Sequence, residues 1–313
     1  MSRLYLGIDT SNYRTSAAIF DAETLFYQNF NRLLDVPVGA HGLRQSEALF
    51  QHTLHLHKQL ARLPAGVGKE IRAVCASTRP RAVEGSYMPC FLAGEGTARS
   101  IAHLLDIPFY TASHQQGHLA AAALGAGCLD MLGKTFLAWH LSGGTTELLK
   151  VTPDSNGLPC AEIIGGTTDI SAGQLVDRIG VLLGLGFPAG IELEQLAIKG
   201  EQKGFPVKVK DCFFSLSGMQ NKAEQLHDTS KPAEKVARFV IETIAYAVVE
   251  ATGQARKDEK YPVLCAGGVM GNMYIQQQMK EKFNAYFAMP ELSGDNAVGA
   301  AILAAQQKEE TLW

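Results

Sequence analysis

Two histidines four residues apart, His114 and His118 in His114-Gln115-Gln116-Gly117-His118, are the first side chains whose spacing suggests chemistry. On a helix those positions share a face, so both imidazoles can reach one metal ion. Gln115 stands where zinc peptidases of the H-E-x-x-H type carry their general-base Glu, so peptidase chemistry is disfavoured. The bland alternative is a pair of polar residues on a solvated helix. A metal also needs a third ligand. Asp295, in Ser293-Gly294-Asp295-Asn296, is a hard-oxygen candidate and equally a good N-cap for the helix that follows. The earlier histidines His41, His52, His55 and His57 read as a polar helix face rather than a metal cluster.

Two glycine-rich stretches could approach a nucleotide. In Ser142-Gly143-Gly144-Thr145-Thr146 the glycine pair removes side chains, so backbone N–H groups can face phosphate oxygens. The same residues also suit a tight hairpin turn. In Cys265-Ala266-Gly267-Gly268-Val269-Met270-Gly271-Asn272 the glycines admit either an adenine or ribose, or a close strand–helix turn. Lys199, Lys203, Lys208 and Lys210 with Phe205, and separately Arg79 and Arg81, read as solvated basic faces that could meet phosphates.

Elements must position these groups. Leu4–Ile8 and Thr15–Phe20 read as a hairpin around a polar turn, and Phe136–Leu141 with Glu147–Val151 repeats the plan. One hairpin at the start of each half suggests an internal duplication. Val236, Phe239, Val240, Thr243, Ile244, Ala247, Val248 and Ala251 make a helical stripe, with Ser230 as N-cap, Pro232 in the first turn and Gly253 as stop. Leu49, Thr53, Leu56, Leu60 and Leu63 mark an earlier helix, and Ala98–Leu105 another, ended by Asp106 and Pro108. Val263–Ala266 reads as a buried strand, followed by helices around 273–283 and 297–307. With 313 residues the chain suits two lobes. A net charge of −3 requires any RNA contact to rest on a local patch or a partner. The six cysteines, scattered without a C-x-x-C pair, read as reduced thiols. Asp9 interrupts the opening apolar run, and no membrane-length apolar segment follows, so a cytoplasmic location is expected.

Taken in chain order, these motifs resemble the TsaD family of the actin–Hsp70–sugar-kinase superfamily, the tRNA N6-adenosine threonylcarbamoyltransferases. Leu6-Gly7-Ile8-Asp9-Thr10-Ser11 resembles the family's L-G-I-E-T-S, and His114 with His118 resembles N-H-x-E-G-H. Ser142–Thr146 resembles S-G-G-H-T. Asp169 to Gly190 resembles D-D-A-x-G-E-A-F-D-K followed by L-G-L-x-Y-P-G-G. Phe214–Gly218 resembles F-S-F-S-G, Ala266-Gly267-Gly268-Val269 with Asn272 resembles A-G-G-V-x-x-N, and Asp295-Asn296 resembles a late D-N.

The resemblance implies a two-lobed α/β, ribonuclease H-like fold with duplicated lobes. We expect an N-terminal lobe over 1–113, a nucleotide and metal lobe over 114–295, and a terminal helix over 296–313 packing near the cleft or on the first lobe. It implies that His114, His118 and Asp295 hold one divalent metal, iron or zinc. Leu141, Ser142, Gly143, Gly144 and Thr145 would contact phosphates and the acyl group of ATP or an adenylate. Asp177 and Gly190 would hold the ribose, and Gly267, Gly268 and Asn272 would line the nucleoside pocket. The implied reaction passes the threonylcarbamoyl group of its adenylate to N6 of adenosine 37 in tRNA, with lobe closure excluding water. A TsaB-like paralogue and a TsaE-like ATPase are the implied partners. Some positions depart from the family. C-D-E is Asn12-Tyr13-Arg14, T-x-G-P-G reads Ser77-Thr78-Arg79-Pro80-Arg81, and Gln116, Thr145, Gln174 and Gln220 replace Glu, His, Glu and Lys. A carbamoyl transferase on another acceptor, or a non-catalytic ATP-binding scaffold, is therefore the alternative.

Overall fold

The computed structural model describes residues 3–36, 42–229, 231–309 and 312–313. His41 and the expected N-cap Ser230 lie outside them. The chain forms two compact units. The first comprises Met1–Lys134, Thr152–Ala161 and Glu291–Trp313, the second Thr135–Val151 and Glu162–Pro290.

In the first unit, β1 (Leu4–Thr10), β2 (Arg14–Asp21) and β3 (Tyr27–Leu33) form an antiparallel meander. β4 (Ile71–Arg79) and β5 (Phe109–Ser113) extend it in parallel from β1, giving the order β3-β2-β1-β4-β5. All of β1 is buried, as a central strand covered on both faces requires. The helices are α1 (Gln45–Leu60), α2 (Phe91–Leu105) and α3 (His114–Gly125). A last helix, here α9 (Val298–Glu309), returns to the same unit and is buried from Val298 to Gln306. Gly7 of β1 permits that close approach, because a Cβ there would stand 2.1 Å from the Ala297 carbonyl oxygen and 2.5 Å from the Ala301 nitrogen.

The second unit repeats the plan. β6 (Phe136–Leu141) and β7 (Thr146–Pro153) make the hairpin, and β8 (Pro159–Thr167) follows beside β7. Then come α4 (Ala172–Leu182), α5 (Gly190–Lys199), β9 (Phe213–Phe214), α6 (Ser217–Asp228) and α7 (Ala233–Ala255). β10 (Val263–Ala266), α8 (Met273–Phe283) and β11 (Tyr286–Phe287) complete it. The sheet order is β11-β10-β6-β7-β8-β9, with β10 parallel to both β6 and β11. An antiparallel hairpin, extended on its first strand by two parallel strands, thus occurs in both units.

Several expectations change. The division at 113/114 does not match the units, since α3 belongs to the first, where it lies against α9. On α1 the buried face carries Ala48, His52, His55 and Leu56, so two histidines read as a polar surface face inward. His52 Nε2 meets the Ser11 carbonyl and its Nδ1 the Thr15 hydroxyl, each at 2.8 Å. Pro232 stands just before α7 rather than within it, and the helix runs through Gly253 to Ala255. An open surface around Gly253 tolerates it there.

Candidate metal centre

Ser113 ends β5 and caps α3: its hydroxyl accepts the Gln116 N–H at 3.2 Å, while Gln116 Oε1 accepts the Ser113 N–H at 2.8 Å. This reciprocal cap sets His114 in the first turn of α3 and His118 one turn on, on the same face. The third group comes from the approach to α9. Asn296, not Asp295, takes the N–H groups of Val298 and Gly299, at 2.9 and 3.3 Å. The expected cap role of Asp295 therefore falls to its neighbour, and the Asp295 carboxylate is turned to the histidines. Helices α3 and α9 come close because a Cβ on Gly299 would lie 1.8 Å from the Gly117 carbonyl oxygen.

His118 Nε2 lies 2.9 Å from His114 Nε2 and 3.1 Å from Asp295 Oδ1, and His114 Nε2 is 3.5 Å from the same oxygen. Bonds of about 2.0–2.2 Å at tetrahedral to octahedral angles put ligand atoms about 2.9–3.6 Å apart. Two imidazoles and a carboxylate at that spacing fit one zinc or iron(II) ion. Side-chain exposures of 20%, 19% and 30% for His114, His118 and Asp295 leave the cluster open on one side, as a ligand-exchanging site needs.

Asp9, at the end of β1, joins the cluster from behind. Its Oδ2 accepts a hydrogen bond from His114 Nδ1 at 2.8 Å, and its Oδ1 takes the Ser11 N–H at 3.0 Å. Burial pushes the His114 pKa down, but the Asp9 charge and the hydrogen bonds to Asp295 and Asp9 outweigh it and hold the ring at about 10. Burial alone would raise Asp9 and Asp295, yet the histidines keep both carboxyls below the usual carboxylate range. Sequence reasoning assigned Asp9 no site role. The expected strand ends at Ile8 and leaves Asp9 in the polar turn, whereas β1 runs on through Asp9 to Thr10, and the partner of Asp9 lies 105 positions along the chain.

The glycine-rich residues lie in the second unit, around the carboxyl ends of β6 and β10. Ser142 and Thr145 close the hairpin: the Ser142 N–H donates to the Thr145 carbonyl at 2.8 Å, and the Thr145 N–H to Ser142 Oγ at 3.1 Å. The tight-turn reading thus holds, and a Cβ on Gly143 or Gly144 would meet open space. The start of α4 is pressed on this turn, since Gly173 N–H donates to the Ser142 carbonyl at 3.2 Å and Ser171 Oγ to that of Gly143 at 2.6 Å. A Cβ on Gly267, whose φ is +96°, would stand 2.1 Å from the Leu141 carbonyl oxygen, so that approach demands glycine. Gly268 faces open space. Asp177 accepts the Ala189 N–H at 2.8 Å, next to Gly190 at the start of α5. Asn272 is the N-cap of α8, its Oδ1 taking the Tyr274 and Ile275 N–H groups at 3.1 Å each.

Two departures from the family motifs gain a physical reading here. Gln116 and Gln174 both occupy the third position of a helix and complete reciprocal caps with Ser113 and Ser171. Glutamine serves that cap as glutamate does, without a charge.

Two sheets on one plan, each a hairpin continued by parallel strands, make the actin–Hsp70–sugar-kinase fold. HypF from T. kodakarensis shares the fold with a TM-score of 0.58 at 14% identity, over 99% of this chain and 48% of that one. A ROK family glucokinase from Streptomyces griseus does so with a TM-score of 0.52 at 13% identity, over 97% and 99%. Residues 51–302 match the family described as TsaD, tRNA N6-adenosine threonylcarbamoyltransferase, and the chain belongs to that family. The enzyme of that name from Thermus thermophilus is 35% identical over 246 residues, covering 77% of this chain and 72% of its own. That from Streptococcus gordonii is 29% identical over 318 residues, covering 94% and 89%. Among the described residues no helix is long and apolar enough to cross a membrane.

Proposed function

We propose that this chain transfers the threonylcarbamoyl group of threonylcarbamoyl-adenylate to N6 of adenosine 37 in tRNA, using one iron or zinc ion held by His114, His118 and Asp295. The observation that carries this reading is the triangle of 2.9, 3.1 and 3.5 Å between their donor atoms, in a chain of the TsaD family. In the reaction the N6 nitrogen forms a bond to the carbamoyl carbon. The bond from that carbon to the phosphate oxygen breaks, AMP leaves with the electron pair, and N6 loses a proton. When bound, the ion would supply Lewis-acid stabilisation of negative charge on a substrate oxygen. The chain's own residues would bind and orient. Open backbone at Gly143 and Gly144 offers N–H donors to phosphate. Asp177, by holding Ala189, shapes the segment that would face the ribose at Gly190. Gly267, Gly268 and Asn272 would line the nucleoside side.

Replacement of C-D-E by Asn12-Tyr13-Arg14 favours a second reading, in which the acceptor differs or the chain binds nucleotide without turnover. Metal content of protein purified without a chelating tag tests the first reading, beside a His114→Ala, His118→Ala double variant. Near-stoichiometric iron or zinc, lost in the variant, is expected. The loaded chain, supplied with threonylcarbamoyl-adenylate, a TsaB-like paralogue and a TsaE-like ATPase, should then modify adenosine 37 of unmodified tRNA. Metal-free wild type after anaerobic loading would overturn the metal reading. Adenylate binding without tRNA product would favour the second.

A further inference from the structure

Asp9 is a carboxylate at 2% exposure in a strand whose every residue is buried. Taking an ionised carboxylate from water is costly unless hydrogen bonds and a counter-charge replace the solvent. Here the compensation is specific. One oxygen takes the backbone N–H of Ser11, and the other meets His114 Nδ1 at 2.8 Å. With Nδ1 committed to Asp9, the neutral ring that an ion binds carries its lone pair on Nε2. That Nε2 is the atom 2.9 Å from His118 Nε2 and 3.5 Å from Asp295 Oδ1.

The support behind Asp9 is also built. The fully buried His52 ring spans the β1–β2 hairpin, from the Ser11 carbonyl to the Thr15 hydroxyl, both at 2.8 Å. Thr10 beside it takes the Gly94 N–H at 3.1 Å and donates to the Cys90 carbonyl at 3.0 Å. These bonds tie the residues beside Asp9 to α1 and α2, and the carboxylate itself is held by the Ser11 N–H and His114 Nδ1.

We propose that Asp9 is the positioning residue of this centre: it fixes the orientation and tautomer of His114, so that Nε2 is presented to the ion, and thereby sets the metal affinity. This rests on the metal reading above. Outer partners of this kind commonly change affinity 10–100-fold when removed.

The test uses the full chain, stripped of metal. Zn(II) affinity is measured by competition with a chromophoric chelator, and Co(II) absorption reports ligand geometry. Wild type, Asp9→Asn, Asp9→Ala and His118→Ala are compared, with circular dichroism to confirm folding. We expect His118→Ala to lose the site. Asp9→Ala should bind Zn(II) roughly 10–100-fold more weakly and shift the Co(II) bands. Asp9→Asn should fall between it and wild type, because its amide oxygen still accepts from Nδ1. A merely structural role would lower stability without moving those bands. Folded Asp9→Ala with wild-type affinity and spectrum, beside a dead His118→Ala, would overturn the positioning role and leave the metal centre standing. Wild type that binds neither ion would overturn both. Should Asp9→Ala not fold, wild-type affinity and spectrum in Asp9→Asn would overturn the proposal equally.

Discussion

Single side chains here divide labour with their neighbours. Asn296 satisfies the start of α9, which leaves Asp295 for the histidines. In the second unit Asp169 does by itself what a cap residue does. It accepts the N–H groups of Leu216 and Ser217, and the hydroxyls of Ser215 and Ser217, at the start of α6. Burial pushes its pKa up, but those hydroxyl and N–H donors prevail and hold the carboxyl well below the usual carboxylate range. A depressed folded pKa contributes stability that is complete above the unfolded value of about 3.9 and is lost as pH falls through the folded value. Asp169→Asn should therefore cost about 1 kcal/mol at pH 7, the usual size of a lost cap. Urea unfolding at stepped pH should show that difference narrowing below about pH 4. A pH-independent difference would mean that shape, not charge, holds the start of α6.

At the scale of elements, the centre depends on one helix crossing. The Gly299 backbone of α9 lies against the Gly117 carbonyl of α3, and these two helices bring the two histidines and the lead-in of Asp295 together. Gly299→Ala would place a methyl 1.8 Å from backbone, so one helix must move. We expect about 1–3 kcal/mol of destabilisation and a Zn(II) affinity at least tenfold lower by chelator competition. Gly253→Ala on α7, where a Cβ meets open space, is the control and should stabilise by up to about 1 kcal/mol. Unchanged metal affinity in Gly299→Ala would show that the crossing does not govern the site. The contrast explains what the sequence made legible. Hairpins, glycine turns and amphipathic helices were readable because their patterns are local. The pairing of His114 with His118 was readable for the same reason, being one helical turn. The crossing at Gly117 and Gly299, the Asp9–His114 bond and the inward turn of His52 were not, since each joins residues far apart in sequence. The end of α7 lies beyond the expected stop because glycine is a weak stop when the rest of a long apolar face is buried.

At the scale of the whole molecule, the first unit is assembled from separate stretches of chain. The chain leaves it at Lys134, re-enters it over Thr152–Ala161 and completes it only with Glu291–Trp313. The three candidate metal ligands span that gap, with His118 and Asp295 separated by 177 positions, yet all of them belong to this unit. An ion bound to the folded form alone stabilises it by about 2.7 kcal/mol at a free concentration one hundred times its dissociation constant. That gain should be confined to the elements that supply or support ligands. Hydrogen exchange with and without Zn(II) measures this directly on the intact chain. Slower exchange is expected in β1, α3 and α9, with amides of α4, α6 and α7 in the second unit unchanged. His118→Ala should abolish the difference, and Asp9→Ala should restore it only at a higher Zn(II) concentration. Protection spread evenly over both units would mean that the ion acts on the whole chain, and protection confined to the second unit would place the ion away from His114, His118 and Asp295.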